Sequence, residues 1–353
     1  GGAAVEPDAD NPEAFALLLA HLSPLRECVR LLRADAIAAA HRGDAQRLHA
    51  DLAAMITIAH QIRTPDTLIS ALVSCAMATL AAETTRDLIA LRPDLLTDAQ
   101  LADLAHRFAA LGGPADFISL RGERLFFRDT IQRLYTDDGN GNGRLTAAGA
   151  AYFDKIAALS GDSSSVGMLL TSTVVADRRA LTRAYERLFD RAEASLSVPI
   201  WKQDVETADD ILEEYIGTAV GRMRYLPLAV LAPALDRVRY TAQESVAQRD
   251  AALAVLAIES HRRAHGKPPE SLAELIPSRL PAMPRDPADG EPLRYRRTGD
   301  GVVLYSLGAD RADNQGQSPA TDADARTIAR FMRRDQTSAP CDLVYFSTPA
   351  RRD

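Results

Sequence analysis

Between Asn11 and His265 the chain is punctuated as a succession of helices, and that punctuation limits the folds open to it. Asn11 before Pro12 pairs an N-cap with proline at the first helical position, and Phe15, Leu18, Leu19 and Leu22 follow at helical spacing. A second helix is predicted over Leu25–Ala40; Gly43 stops it, and Asp44 caps a third through Leu48, Leu52, Met55, Ile56 and Ala59. Thr64-Pro65 repeats the cap-plus-proline signal and opens a long apolar helix to Leu91. Thr97 and Gln100 form a capping box for the next, which Gly112-Gly113-Pro114 ends. Two helices flank 137–146, Ser160–Ser165 reads as a loop, and helices are expected over Arg178–Leu196 and Asp209–Met223. A long amphipathic helix then runs from Pro233 to His265, and its apolar positions require a cover on one side.

Brief turns between helices make neighbours antiparallel, so Arg42-Gly43-Asp44 joins a hairpin. The span Asp35–Gln61 resembles one tetratricopeptide hairpin, but a repeat array needs about three units. The expected architecture is therefore an irregular helical-hairpin domain, a bundle or a short superhelix. Composition agrees: alanine is abundant and aromatic residues make up 5%, which favours helix over strand. With 353 residues the chain exceeds what one core serves, so two units are expected. A net charge of −7 without a basic run opposes binding to nucleic acid, and Arg333-Arg334 and Arg351-Arg352 read as solvated surface. Cys28, Cys75 and Cys341 are too few and too dispersed for a disulfide framework, and the first two read as small hydrophobes on helices.

No segment is expected to span a bilayer; the best candidate, Leu226–Leu235, is short and interrupted by Pro227 and Pro233. The opening Gly1-Gly2-Ala3-Ala4 lacks an initiator methionine, residues 1–10 are expected to be disordered, and a signal or membrane anchor is expected upstream.

After Gly266 the chain becomes proline-rich and β-prone. Ser271 with Glu274 predicts a capping box for a short helix, Leu272–Ile276, before an extended run from Pro277 to Pro292. Leu293–Arg297 and Val302–Ser306 flank a glycine-containing turn and read as a hairpin, with Leu343–Phe346 as a third strand. The fold class is then mainly α, the helical domain (11–232) being followed by a small α+β module (233–353) with a long helix on a three-stranded antiparallel sheet.

The stretch Ala252–Asp313 carries His265-Gly266-Lys267-Pro268-Pro269, Leu280-Pro281, Pro284-Arg285-Asp286-Pro287, Leu293-Arg294-Tyr295 and Ser306-Leu307-Gly308-Ala309-Asp310. In these motifs it resembles the periplasmic part of the major pseudopilin of type II secretion. It is also similar to the ends of helical extracytoplasmic proteins of planctomycete-like bacteria. The resemblance implies an extracytoplasmic location, periplasmic or at the cell surface, and calcium in the loop after the second strand, where Asp310, Asp313, Asp322 and Asp324 supply carboxylates. A pseudopilin begins with an apolar helix that polymerises, whereas here a helical domain comes first.

A second candidate metal site lies at Asp138-Gly139-Asn140-Gly141-Asn142-Gly143-Arg144-Leu145-Thr146, which fits the start of an EF-hand loop. Asp138, Asn140 and Asn142 would offer side-chain oxygens and Arg144 its carbonyl, but Gly149 stands where a bidentate glutamate belongs. That loop reads equally as a glycine-asparagine turn. His261 and His265 could share a helix face, yet Arg262 stands where a zincin has glutamate. His41, His49 and His60 suit packing or helix-surface roles, and Asp162–Gly167 a cap and linker. Glu123, Arg124, Arg128 and Asp129 are expected to pair along one helix. The predicted function is that of an extracytoplasmic, non-enzymatic binding or scaffold protein with a protein partner. The alternative is a hydrolase or carbohydrate-active protein with a cleft between the helical domain and the C-terminal module.

Overall fold

The computed structural model describes residues 21–64, 66–137, 139–151, 174–202, 206–231, 235–299, 301–308, 310–317 and 342–348. The expected first helix from Asn11 and the loop at Ser160–Ser165 lie outside the described residues. Mainly helical with one small antiparallel sheet, the chain has the expected fold class. It divides into two compact units, one formed by Gly1–Phe117 with Thr241–Asp353, the other by Ile118–Tyr240. The division differs from the linear boundary at 232/233, because the N-terminal helices share a core with the C-terminal module.

In the first unit, α1 (Leu22–Arg42) and α2 (Ala45–Gln61) form the predicted hairpin. Gly43 ends α1 at φ 75°, a left-handed conformation that costs glycine nothing, and the Asp44 carboxylate accepts from Arg47 N at 3.0 Å. Helix α3 (Leu68–Leu91) takes its cap from Thr67, whose side chain accepts from Ser70 N, rather than from Thr64. The apolar character of α3 corrects the expectation about membranes: it is long and apolar enough to cross one by length and composition. Here it serves as a core helix, with Ala71, Cys75, Ala78 and Ala82 buried. Cys75 behaves as the expected small hydrophobe, burial pushing its thiol up to about 11, whereas Cys28 is exposed. Helix α4 (Asp98–Ala109) forms its predicted Thr97–Gln100 capping box, and His49 of α2 meets Asp103 at 2.9 Å.

The long helix α5 (Leu235–His265) is buried on every side from Ala251 to Glu259, more than the one-sided cover its spacing predicts. Its C-terminal turns are fixed by arginines: Arg262 and Arg263 pair with the buried Glu259, and Arg263 donates to the carbonyls of Pro93 and Leu96. Ser271 makes no capping bond; the Glu274 carboxylate instead accepts from Glu270 N, and Leu272–Leu275 is a 3-10 turn.

Strands β1 (Arg294–Thr298), β2 (Gly301–Ser306) and β3 (Leu343–Thr348) form the sheet in sequence order, both pairs antiparallel. Leu304 pairs with Phe346 and Tyr305 with Val344, so Tyr345 is the extra residue of a β-bulge, which the ladder leaves unpaired. The fully buried Arg86 of α3 addresses that bulge. Its Nε donates to Tyr345 O at 3.0 Å, while Nη1 and Nη2 donate to Gln248 O and Oε1 of α5 at 2.9 and 2.6 Å. One guanidinium thus joins α3, α5 and β3.

In the second unit, α6 (Arg121–Leu134) packs on α7 (Arg178–Leu196) through Phe127, Tyr185 and Phe189, whose rings stack. Arg124 and Arg128 pair with Glu186, Asp190 and Glu193 across these helices, not along α6 as expected; Asp129 alone keeps an i,i+4 partner, Arg133. The predicted Asp209–Met223 helix is two, Ala208–Ile216 and Ala219–Arg224, because Thr218 accepts from Gly221 N and caps a new start.

Candidate functional site

The loop after β2 gathers part of the predicted acidic set. Gly308 and Gly316 have positive φ, as do Arg311 and Gln315, and the chain curls back on the sheet. Asp313 Oδ1 accepts from Tyr305 OH at 3.0 Å and from Gln315 N at 2.8 Å, and Asp310 Oδ1 accepts from Ala312 N at 3.1 Å. Asp322 and Asp324 lie outside the described residues. The structure brings in instead Asp342, which the sequence reading missed. It is buried just before β3, with Oδ1 accepting from Asn314 N at 3.2 Å and Oδ2 from Gly316 N at 2.7 Å. Burial raises the Asp342 carboxyl above its ordinary range, and nearby Asp313 and Asp310 add to the shift against the two N–H donors. Burial, together with Asp313, pushes the Tyr305 phenol up to about 12. Among the described residues no group of three or more His, Cys, Asp or Glu is disposed to hold a metal ion, because each carboxylate faces backbone N–H groups. The one sequence signal for Asp342 was its position ahead of an apolar strand.

The glycine-asparagine loop closes as a turn. Tyr135 and Leu145 form an antiparallel bridge, Thr136 N donates to Arg144 O at 2.9 Å, and Arg144 N donates to Thr136 Oγ1 at 2.8 Å. The Arg144 carbonyl, the expected backbone ligand, is thereby engaged. The carbonyls of Gly141 and Gly143 accept from Arg179 N and Arg178 N, each at 2.9 Å, and that of Asn140 accepts from the Arg179 guanidinium. Asp138 lies outside the described residues, and Asn142 has its own interactions in the turn. Gly149 is fixed by packing: a Cβ there would approach Leu134 O to 2.6 Å. A glutamate at that position has no room, and two arginines lie where a cation would bind.

His261 and His265 stack at 4.0 Å between ring centroids, and His265 Nδ1 contacts His261 O at 3.0 Å. His261 is buried with its Nδ1 unpartnered among the described residues, and burial, then His265 and Arg279, lowers its pKa. In the adjoining module Asp286 is fully buried and accepts from Ser306 Oγ at 2.6 Å, Ala288 N at 2.8 Å and Leu307 N at 2.9 Å. That carboxylate is a structural pin for the motif Pro284–Pro287, with burial raising its pKa.

Two open cavities occur in the first unit. One, of about 370 Å³, is lined by Leu91, Arg92, Pro93, Asp94 and Leu95. The other, of about 190 Å³, lies between the end of α4, the middle of α5 and the loop 280–284. Neither lining holds a histidine, cysteine or serine or a pair of carboxylates. No family model matches the chain, and neither a curated protein nor a solved structure shows significant similarity to it.

Proposed function

We propose that this protein is a non-enzymatic binding or scaffold protein, extracytoplasmic as its pseudopilin-like segment implies, that engages a protein partner through its first unit. The observation that carries this reading is the lining of the two open cavities, which offer apolar walls and single ionic groups without a nucleophile beside a base. Support comes from α1, which displays Leu31 and Ile37 at 70% and 37% exposure next to Ala34 and Ala38. Apolar side chains on an outer helix favour association more than catalysis.

A photo-crosslinking residue in place of Leu31, expressed in the native host, tests the reading. Discrete adducts that disappear when Ile37→Glu is added on the same face are expected. Turnover of ester, glycoside or phosphate substrates by the purified chain, with no adduct formed, would overturn it in favour of a hydrolase.

A further inference from the structure

We propose that the smaller cavity of the first unit binds an extended, uncharged peptide segment of the partner, laid alongside Pro281–Met283 and pinned by Arg249 and Asp250. The inference rests on the protein-binding reading above and names its site and ligand class.

Three observations converge there. The first is ionic: Arg249 Nε and Nη2 both donate to Asp250 Oδ1, at 3.0 and 2.6 Å, and both residues line the cavity. Among the described residues these are the bonds the pair makes, so Nη1 remains as a donor and Oδ2 as an acceptor, side by side. An amide, which carries an acceptor and a donor side by side, complements that arrangement. A carboxylate ligand would meet Asp250 and an amine would meet Arg249, each at a repulsive cost in a half-buried site. The pair therefore selects for neutrality.

The second observation concerns the loop. Leu280 N and Pro284 O are taken, by Leu275 O and Leu293 N, but among the described residues Ala282 and Met283 make no backbone hydrogen bond. Prolines 281 and 284 have no N–H, so the segment offers two donors, at Ala282 and Met283, together with its carbonyls. Open backbone groups on an extended segment are what strand addition uses for affinity, while adjacent pockets supply side-chain preference. Third, Leu253 and Met283 provide apolar surface, and a volume of about 190 Å³ accommodates one medium aliphatic side chain rather than an aromatic one.

The test uses the full chain with labelled methyl groups and the blocked tripeptide acetyl-Ala-Leu-Ala-amide. The Met283 ε-methyl and Leu253 δ-methyl resonances are expected to shift and saturate with a Kd of about 1–10 mM, a modest affinity fitting so short a contact. Asp250→Asn should weaken binding about tenfold by converting the acceptor edge, one lost hydrogen bond to a charged group. Ala282→Pro, an exposed change that deletes one backbone donor and leaves the ionic pair untouched, should weaken it about fivefold. Methyl dispersion reports that each variant remains folded. Absence of shifts up to ~50 mM peptide, well above that range, overturns the site. So does tighter binding of acetyl-Ala-Leu bearing a free carboxylate, which would make the cavity an anion site. Shifts confined to the Ile37 methyl, or adducts at position 31 without shifts at Met283, would overturn this site while leaving the protein-binding function standing.

Discussion

Replacing Arg86 tests the idea that one guanidinium holds the helical array to the C-terminal sheet. Its three hydrogen bonds, at 3.0, 2.9 and 2.6 Å, end on two backbone carbonyls and one side-chain amide of elements far apart in sequence. Gln248 O keeps a helix partner when the guanidinium is removed, but Tyr345 O lies in the bulge, and Gln248 Oε1 is buried with its residue. Each buried acceptor left unmade costs about 1–3 kcal/mol. Relief of the desolvation that Arg86 itself suffers, seen in its lowered pKa, offsets part of this. Arg86→Met, which keeps most of the volume, should therefore cost about 3 kcal/mol, or roughly 6–12 °C in Tm for a unit of this size. Arg86→Lys should be no better, since an ammonium is a point donor that cannot span acceptors on two elements and loses more hydration on burial. Urea denaturation followed by circular dichroism gives the free energies, and hydrogen exchange over 343–348 should accelerate in both variants. A methionine variant within about 0.5 kcal/mol of the parent, or a lysine variant indistinguishable from it, would refute the argument that fork geometry joins these elements.

Asp286→Ala should cost about 3 kcal/mol by stripping the buried N–H groups of Ala288 and Leu307 and the Ser306 hydroxyl of their acceptor. Asp286→Asn, which keeps one oxygen, should cost less, and urea midpoints would show the order. Burial, His265, Arg279 and Lys267 oppose protonation of His261 while Glu274 favours it, and the folded pKa lies below the ordinary value. The unfolded chain then takes up the proton first, so stability should fall as pH drops from about 6.5 through the folded pKa. A His261→Leu variant should lose less between pH 7 and 5 than the parent, and equal losses would exclude His261 as the cause. Of the two acidic loops, the one holding Asp310, Asp313 and Asp342 is expected to respond to calcium, since a cation would relieve the mutual repulsion that raises Asp342. With a Kd of about 1 mM, 10 mM calcium should stabilise by about 1.4 kcal/mol. Asp310→Ala should abolish the gain and Asp138→Ala should leave it; a flat melting curve removes calcium from both loops.

Local signals were legible wherever a few neighbouring residues settle the structure. Asp44 and Thr97 cap helices as their spacing requires, Gly43 adopts its left-handed φ, and Gly301–Ser306 pairs across the turn with the strand before it. Such contacts close within one or two turns of chain, so their energy is written in adjacent residues. Competing local signals were less readable: Thr64 and Thr67 both offer a cap, and the choice of Thr67 rests on Ser70 N. Glu123, Arg124 and Arg128 had the spacing of helix-surface pairs, but Glu186 of another helix came closer to both arginines.

The division into units, the bulge at Tyr345 and the acidic residue Asp342 were decided by tertiary structure alone. Arg86 and Tyr345 are 259 positions apart, and no periodicity or motif in either segment announces that one carbonyl lacks a ladder partner and one guanidinium will supply it. Glycine 149 shows the same limit from the other side. Sequence marks it as a missing calcium ligand, and only the approach of Leu134 O shows that a side chain has no room there. Helix ends and turns were fixed by the sequence itself because their partners are near along the chain. The core that joins α3, α5 and β3, and the cavity beside Arg249 and Asp250, depended on segments separated by more than a hundred residues meeting, where loop closure and burial outweigh any local preference.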